Sequence, residues 1–114
     1  MEILKTSKTL TPQEVFAMTM GAQSKKMADA VGQTIEVAAW CLYTDINSDG
    51  ELKEILAIQT PEGEIMSTIS PTFKEDFMNM YDFFKDNEIE VQAIAIIDGK
   101  SKAGRTFITC TYAA

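Results

Sequence analysis

Three cations lie close together near the end of the chain, in the segment DGKSKAGR (residues 98–105). Lys100, Lys102 and Arg105 are accompanied there by one acid, Asp98. Ammonium and guanidinium groups spaced in this way can bind the phosphates of a polyanion. An apolar run precedes the segment and another follows it, which predicts a loop between two strands. We therefore expect a phosphate-binding loop at this position.

Aromatic side chains provide the second kind of contact that a nucleic acid needs. Bases of any type stack on flat rings, with about 1–3 kcal/mol per base. Trp40 and Tyr43 lie late in one predicted strand, and Phe107 lies early in the last one. The sequence thus predicts a nucleic-acid-binding set composed of Lys25, Lys26, Trp40, Tyr43, Lys53, Lys100, Lys102, Arg105 and Phe107. The alternatives are burial in the core for the aromatics and a solvated loop for the lysines.

The charge of the chain is unevenly distributed. Its 114 residues carry a formal net charge of −7, and the sequence pI is about 4.5. Residues 29–97 contain 14 acids and three lysines, whereas both ends are slightly basic. Because a ligand responds to charge within a Debye length of about 8–10 Å, a basic loop can attract phosphate on an acidic protein. The alternative is that the acidity serves solubility and that the basic ends bind nothing.

Residue types needed by common enzyme mechanisms are missing. The chain has no histidine, which excludes imidazole acid–base chemistry, Ser-His and Cys-His nucleophile pairs and histidine metal sites. Cys41 and Cys110 lie far apart within apolar strand patterns, which predicts reduced and buried thiols. We expect no enzymatic activity, no catalytic residues, no metal and no cofactor; a metal site or acid–base pair built from carboxylates alone is the alternative that the sequence leaves open.

The segment from Asp45 to Gly50 matches the opening of a calcium-binding EF-hand loop, D-x-N-x-D-G. The twelfth position of such a loop is a bidentate Glu, but here it is Leu56. The flanking patterns alternate as in strands, although an EF-hand needs helices. We therefore predict a β-hairpin turn, and a calcium-responsive protein remains an alternative that requires metal binding at this turn.

A short helix is predicted near the N-terminus. Thr11 and Glu14 form a capping box around Pro12, and Gly21 marks the end of the helix. The residues expected to face the rest of the protein are Val15, Phe16 and Met18. Residues 22–33 have no clear period and predict an irregular connection.

The remainder of the chain predicts five strands and one helix. The strands are expected at residues 34–43, 53–60, 64–69, 90–97 and 105–113, and the helix at 71–86. Phe73, Phe77, Tyr81 and Phe84 repeat at helical spacing and should pack into the core. A helix between the third and fourth of five strands is typical of the OB-fold, a Greek-key barrel. We expect a mainly β, OB-fold-like single domain over residues 1–114, with 1–21 as an N-terminal extension.

Several segments also resemble a known family. TPEGEIMSTISPTF (60–73), the strand and loop pattern IEVQAIAIIDGKSKAGRTFITCTY (89–112) and QSKKMADAVGQTIEVAAWCLY (23–43) are similar to the single-stranded DNA-binding protein of small phages that prime replication with a protein, the phi-29-like podophages. The resemblance covers about residues 22–112. It implies an OB-fold-like domain that coats displaced strands and uses tyrosines for stacking. Tyr43 matches one such tyrosine, whereas Met66 replaces another, and Trp40 is a candidate to compensate.

The resemblance leads to a set of expectations about function. The protein should bind and protect single-stranded DNA, largely independently of sequence, during phage DNA replication. OB-folds bind oligonucleotides on the face of the second and third strands, between the loops after strands one and four. Single-stranded DNA is the expected partner, with phage replication proteins as further candidates. We expect a monomer or small homo-oligomer in the cytoplasm of the bacterial host.

A protein-interaction module is the alternative from another class. Its acidic surface would bind a replication or host factor. The most specific version of this alternative is a protein that mimics DNA. In that case the acidic middle, rather than the basic loop, would carry the function. No apolar run approaches the ~18 residues of a membrane span, so no membrane partner is expected.

Overall fold

The computed structural model describes residues 1–21 and 24–113, which form two β-sheets and two α-helices. Residues 22 and 23, within the connection predicted as irregular, and residue 114 lie outside the described residues. The strands are β1 (Glu2–Thr6), β2 (Ser24–Lys26), β3 (Thr34–Glu36), β4 (Ala39–Ile46), β5 (Leu52–Gln59), β6 (Ile65–Thr68), β7 (Ala93–Lys100) and β8 (Thr106–Ala113). The helices are α1 (Pro12–Thr19) and α2 (Pro71–Asp86), with a short 3-10 helix at Met27–Ala30.

Both α-helices begin at the caps that the sequence predicts. The Glu14 N–H donates to Thr11 Oγ1 (3.1 Å), and the Thr11 N–H donates to Glu14 Oε1 (3.0 Å). At α2, Ser70 Oγ accepts from the Phe73 N–H (3.3 Å), and Asn87 is the C-cap. These short-range hydrogen bonds satisfy donors that the first helical turn leaves free. The predicted capping box and the position of α2 are thus confirmed.

The predicted long strand at 34–43 joins the two sheets. It is interrupted at residues 37 and 38, where the Val37 N–H donates to Gln92 O and the Ala38 N–H to Gln59 O, both at 2.8 Å. On one side of this break β3 pairs with β7, and on the other β4 pairs with β5. The spatial order is β1-β4-β5-β6-β2 in the larger sheet and β3-β7-β8 in the smaller.

The main core lies between the two sheets and α2. Phe73 and Phe77 are fully buried there, and Tyr81 and Phe84 are partly buried against the same cluster. Trp40 packs edge-on against Phe77 and Tyr81, with ring centroids 5.7 and 5.0 Å apart. The prediction that the aromatic stripe of α2 packs into the core is confirmed.

A second, smaller core lies on the opposite face of the larger sheet. Met18 of α1 packs there with Cys41, Tyr43, Ala57 and Ile65. This second core explains why β4 is apolar on both faces, since both faces are covered. The prediction that Phe16 faces the protein is wrong, because its side chain is 58% exposed.

The mainly β class is confirmed, but the predicted closed barrel is not seen. Closure would require the edge of β6 to pair with β8. Instead, β2 pairs with β6 in parallel over three residues, and α2 packs on β8. Neither β2 nor β1, which pairs antiparallel with β4, is predicted by the local sequence pattern. Residues 1–21, expected as an N-terminal extension with a short helix, contribute α1 and also β1, which pairs with the larger sheet.

The segment that resembles an EF-hand loop is a hairpin turn between β4 and β5, as predicted. Asn47 Oδ1 accepts from the Asp49 and Glu51 N–H groups at 2.9 and 3.0 Å, so its side chain stabilises the turn. Among residues 1–21 and 24–113, no group of three His, Cys, Asp or Glu side chains is arranged to hold a metal ion. Within the same residues, no helix is long and apolar enough to cross a membrane.

Candidate nucleic-acid interface

The basic loop is the turn of the β7–β8 hairpin. Ser101 N–H donates to Arg105 O (2.9 Å), and Gly104 N–H donates to Ser101 O (2.9 Å). Ser101 Oγ accepts a third hydrogen bond, from the Arg105 N–H at 3.2 Å. Gly104 has a φ of 81°, in the left-handed region where glycine is favoured. The backbone of the turn therefore has a defined shape, which fixes the positions of the Cα atoms from which the basic side chains extend.

The cations of this hairpin are free of ion pairs within the described part of the chain. Lys100, Lys102 and Arg105 are exposed, and none of them lies within ion-pair distance of an acid. Other predicted cations differ: Lys25 Nζ lies 2.8 Å from Glu64 Oε2, and Lys53 Nζ lies 3.1 Å from Glu51 Oε2. Positive charge is thus more available on the hairpin than at Lys25 or Lys53.

Phe107 lies at the base of the hairpin, directly across from Gly99. A Cβ atom at position 99 would be 2.8 Å from Phe107 Cζ, so the ring lies over the glycine backbone. Any larger residue at position 99 would displace the ring. The ring is half-buried and shares its face of the hairpin with Gly99, whereas Lys100 is paired with Thr106 and lies on the opposite face. A partly exposed aromatic ring and the basic turn therefore belong to the same hairpin.

A groove of about 450 Å³ lies on the α1 side of the larger sheet. Alternate residues of β5 share this face, so Lys53 follows Ile55 along it. The groove is mainly apolar and is lined by Lys26, Met27, Ala28, Tyr43, Ile55, Ser67, Thr68 and Ile69. Lys26 is exposed, and it forms no ion pair with the described residues. This groove is the open part of the face on which the OB-fold resemblance places a ligand.

The other part of that face is closed, which corrects the expectation of an open binding surface on strands two and three. Helix α1 covers it by packing Met18 against Cys41 and Ala57. Sequence alone shows that α1 has an apolar side. Met18 on that side is the residue that could have suggested that α1 covers part of a sheet. What no local pattern shows is which sheet face the helix occupies.

Two of the predicted stacking residues are buried. Trp40 is 2% exposed and packs against α2, while Tyr43 is 5% exposed and packs beneath α1. Burial, with a smaller contribution from Asp45, raises the pKa of the Tyr43 hydroxyl. The expectation that Tyr43 presents an exposed ring is wrong, because only its margin reaches the groove. Neither ring offers a face to a base in this structure.

The predicted residues therefore divide among three places. Lys26 and the edge of Tyr43 meet at the groove, while Lys25 points into a separate cleft beside Glu64. The hairpin holds its own group, composed of Lys100, Lys102, Arg105 and Phe107. The 3-10 helix lies between the groove and strand β7 of the hairpin. Its residue Met27 lines the groove. Two residues after the helix, the Gly32 N–H donates to Ile96 O on β7 (2.8 Å).

Sequence reasoning missed some of the groove residues. The third predicted strand includes Ile69, but β6 ends at Thr68 and Ile69 is 55% exposed just beyond it. Its exposure follows from β2, which pairs with residues 65–67 and leaves position 69 beyond the ladder. The chain matches no protein-family model, no curated protein and no solved structure.

Proposed function

We propose that this protein binds single-stranded DNA, largely independently of sequence, and protects it during phage DNA replication. The observation that carries the proposal is the β7–β8 hairpin, where Lys100, Lys102 and Arg105 form no ion pair with the described residues and the half-buried ring of Phe107 lies at the base of the same turn. Cations along a strand and a ring for stacking are the two contacts that a sequence-tolerant single-strand binder needs.

The strand connections support an OB-like fold that is left open. β4, β5 and β6 form a meander, α2 follows, and β7 and β8 return beside β3. In OB-folds the loop after the fourth barrel strand flanks the ligand. In this chain that loop is the basic hairpin. The absence of a β6–β8 ladder does not move the hairpin, because it is positioned by β3 through β7.

In this proposal the hairpin binds phosphates and stacks one base on Phe107. Sequence tolerance follows because every base has a π face and phosphates are the same at each position. Lys26 extends the positive surface to the groove, whose apolar floor at Ile55 and Ile69 can contact sugars or base edges. Tyr43 contributes to the shape of that floor and does not stack.

The test compares the affinity for labelled oligo-dT by fluorescence anisotropy at two salt concentrations. Each phosphate contact contributes about 0.7 to the slope of log K against log salt, so the triple variant Lys100→Ala/Lys102→Ala/Arg105→Ala should lower the slope by about 2. Between about 50 and 200 mM salt, the unaltered protein should therefore lose about 20-fold more affinity than the triple variant loses. Intrinsic fluorescence is a poorer reporter, because the single Trp is buried.

The matched control removes the same charge elsewhere. Lys5→Ala/Lys8→Ala/Lys85→Ala changes the net charge equally but leaves the hairpin intact, so it should retain most of the slope. If the two triple variants lose affinity equally, only net charge matters and the assignment to the hairpin is wrong. If the unaltered protein does not bind oligo-dT at about 50 mM salt, the proposed function is wrong and a protein-interaction module with an acidic surface is the better hypothesis.

A further inference from the structure

A cleft of about 920 Å³ lies between the ends of the two sheets and is here called the inter-sheet cleft. Its volume lies within the range of ligand pockets. Strands β2 and β3 border it on two sides, and the turn between β5 and β6 closes a third. The residues that line it are Ser24, Lys25, Lys26, Asp29, Ala30, Gln33, Thr34, Ile35, Glu36, Thr60, Glu62, Glu64 and Met66.

The cleft is bordered by strand edges. All three residues of β3 line it, although neighbouring side chains of a strand point to opposite faces. A cavity that contacts every residue in a row must therefore lie along the edge of the strand. The topology agrees, because β3 is the terminal strand of the smaller sheet and β2 is the terminal strand of the larger one.

The free edge of β3 carries unused backbone hydrogen-bonding groups. The Gln33 carbonyl accepts from the Ile96 N–H (2.9 Å), and the Val37 N–H donates to Gln92 O (2.8 Å). In an antiparallel ladder the bonded residues alternate, so the backbone groups of Thr34 and Glu36 point away from β7. They point into the inter-sheet cleft, where the described residues provide no ladder partner.

The charge at the cleft selects the kind of partner. Four carboxylates line it, from Asp29, Glu36, Glu62 and Glu64, against two lysines. Lys25 is already bonded to Glu64 at 2.8 Å. Three acids then remain against one lysine, so a polyanion is disfavoured and a basic segment is attracted. A second copy of β3 is disfavoured too, because it would bring another Glu36 to the same edge.

We propose that the inter-sheet cleft binds an extended, basic peptide segment of a partner protein, which adds to the edge of β3 as a fourth strand of the smaller sheet. Backbone hydrogen bonds to Thr34 and Glu36 give affinity, as in other cases of strand addition. Lysine or arginine side chains of the peptide reach Glu36 and Glu62. The inference is independent of DNA binding by the hairpin, since Thr34, Glu36 and Glu62 lie outside both the hairpin and the lining of the groove.

The test uses a labelled, end-blocked peptide of about eight residues that alternates Lys and Val, a length usual for strands. Its anisotropy should report binding at least about tenfold tighter than that of the matching Glu-Val peptide. A Lys-Val peptide N-methylated at alternate residues keeps its charge but cannot form the ladder, and it should also bind about tenfold more weakly. On binding, amide hydrogen exchange at Thr34 and Glu36 should slow.

Two variants identify the site on the protein. Thr34→Pro removes a backbone donor that faces the cleft and is not part of the β7 ladder, and an edge strand tolerates proline. It should weaken peptide binding about tenfold or more. Glu36→Gln/Glu62→Gln, which leaves the backbone unchanged, should weaken binding and reduce its salt dependence. Its matched control is Glu75→Gln/Asp82→Asn on exposed positions of α2, which should bind the peptide as the unaltered protein does.

Three results would overturn the proposal. One is equal binding of the N-methylated and unmodified peptides, because the ladder would then be irrelevant. Another is unchanged affinity in Glu36→Gln/Glu62→Gln, which remains informative even if Thr34→Pro fails to fold. The third is a dimer in sedimentation that Thr34→Pro dissociates and that the peptide does not displace, since the edge would then bind a second copy of this chain.

Discussion

Replacement of Tyr43 distinguishes a core side chain from a base-stacking one. The ring lies between β4 and α1 and packs with Met18, Cys41 and Ala57. Its hydroxyl is 3.5 Å from Thr19 O, the limit of a hydrogen bond. We therefore expect Tyr43→Ala to lower the free energy of unfolding and to leave the affinity for single-stranded DNA nearly unchanged.

The magnitude follows from the burial of the ring. Truncation of a fully buried large aromatic to Ala costs about 3–5 kcal/mol. One margin of Tyr43 borders the open groove, where neighbours and water can fill part of the space, so we expect about 3 kcal/mol. Tyr43→Phe keeps the ring and loses only the long hydrogen bond, which should cost less than about 1 kcal/mol.

Urea unfolding and oligo-dT anisotropy of the same preparations provide the assay. A stacked tyrosine would lose about 1–3 kcal/mol of binding on truncation, or roughly 5-fold to more than 100-fold in affinity. For a buried Tyr43 we expect the affinity of Tyr43→Ala to change by less than about twofold, measured where the variant and the unaltered protein are both folded. An unchanged urea midpoint together with a fivefold or larger loss of affinity, about 1 kcal/mol, would refute it and return Tyr43 to the DNA surface.

Other consequences of the structure can be tested in the same way. Phe107→Ala should weaken oligo-dT binding at least about fivefold while Phe107→Tyr retains it, and equal affinities would remove this ring from the interface. Hydrogen bonding to Thr11 lowers the pKa of Glu14 from 4.5, so its stabilisation is complete above that value and is lost as the pH falls through the lower folded pKa. The urea midpoint of Glu14→Gln should therefore change less between about pH 5 and 3 than that of the unaltered protein, and parallel curves would contradict this. Burial, together with Asp76, raises the pKa of the Cys110 thiol to about 12, so iodoacetamide at about pH 8 should modify it only after unfolding, and rapid modification of the native protein would show that the site is open.

Local sequence signals predicted the parts of the fold that depend on local contacts. The capping box joins Thr11 and Glu14, three residues apart, and Ser70 caps α2 through Phe73 at the same spacing. The Asn47 turn is also closed within four residues. Such interactions depend on residue type and short separation, so sequence is sufficient to identify them.

The parts that sequence did not predict depend on distant contacts. Strand β1 pairs Ile3 with Tyr43, and β2 pairs Ser24 with Ile65, across about 40 residues in each case. Both strands are short and mostly exposed, so they lack the alternating apolar pattern by which strands are recognised. The same limit applies to α1, whose docking on β4 and β5 decides that Tyr43 is buried.

The charged residues of the candidate interface were easier to predict than its aromatic ones, for a physical reason. A lysine in a turn or at the end of a hairpin strand stays in water whatever packs elsewhere, so the exposure of Lys102 and Lys100 follows from their position in the hairpin. An aromatic ring packs wherever another apolar surface covers it, and Trp40 had α2 as a partner while Tyr43 had α1. Phe107 is only half-buried, and its ring lies over the backbone of Gly99, its neighbour across the ladder. The hairpin therefore carries a partly exposed aromatic ring together with cations that form no ion pair with the described residues, and the proposed DNA contact depends on both.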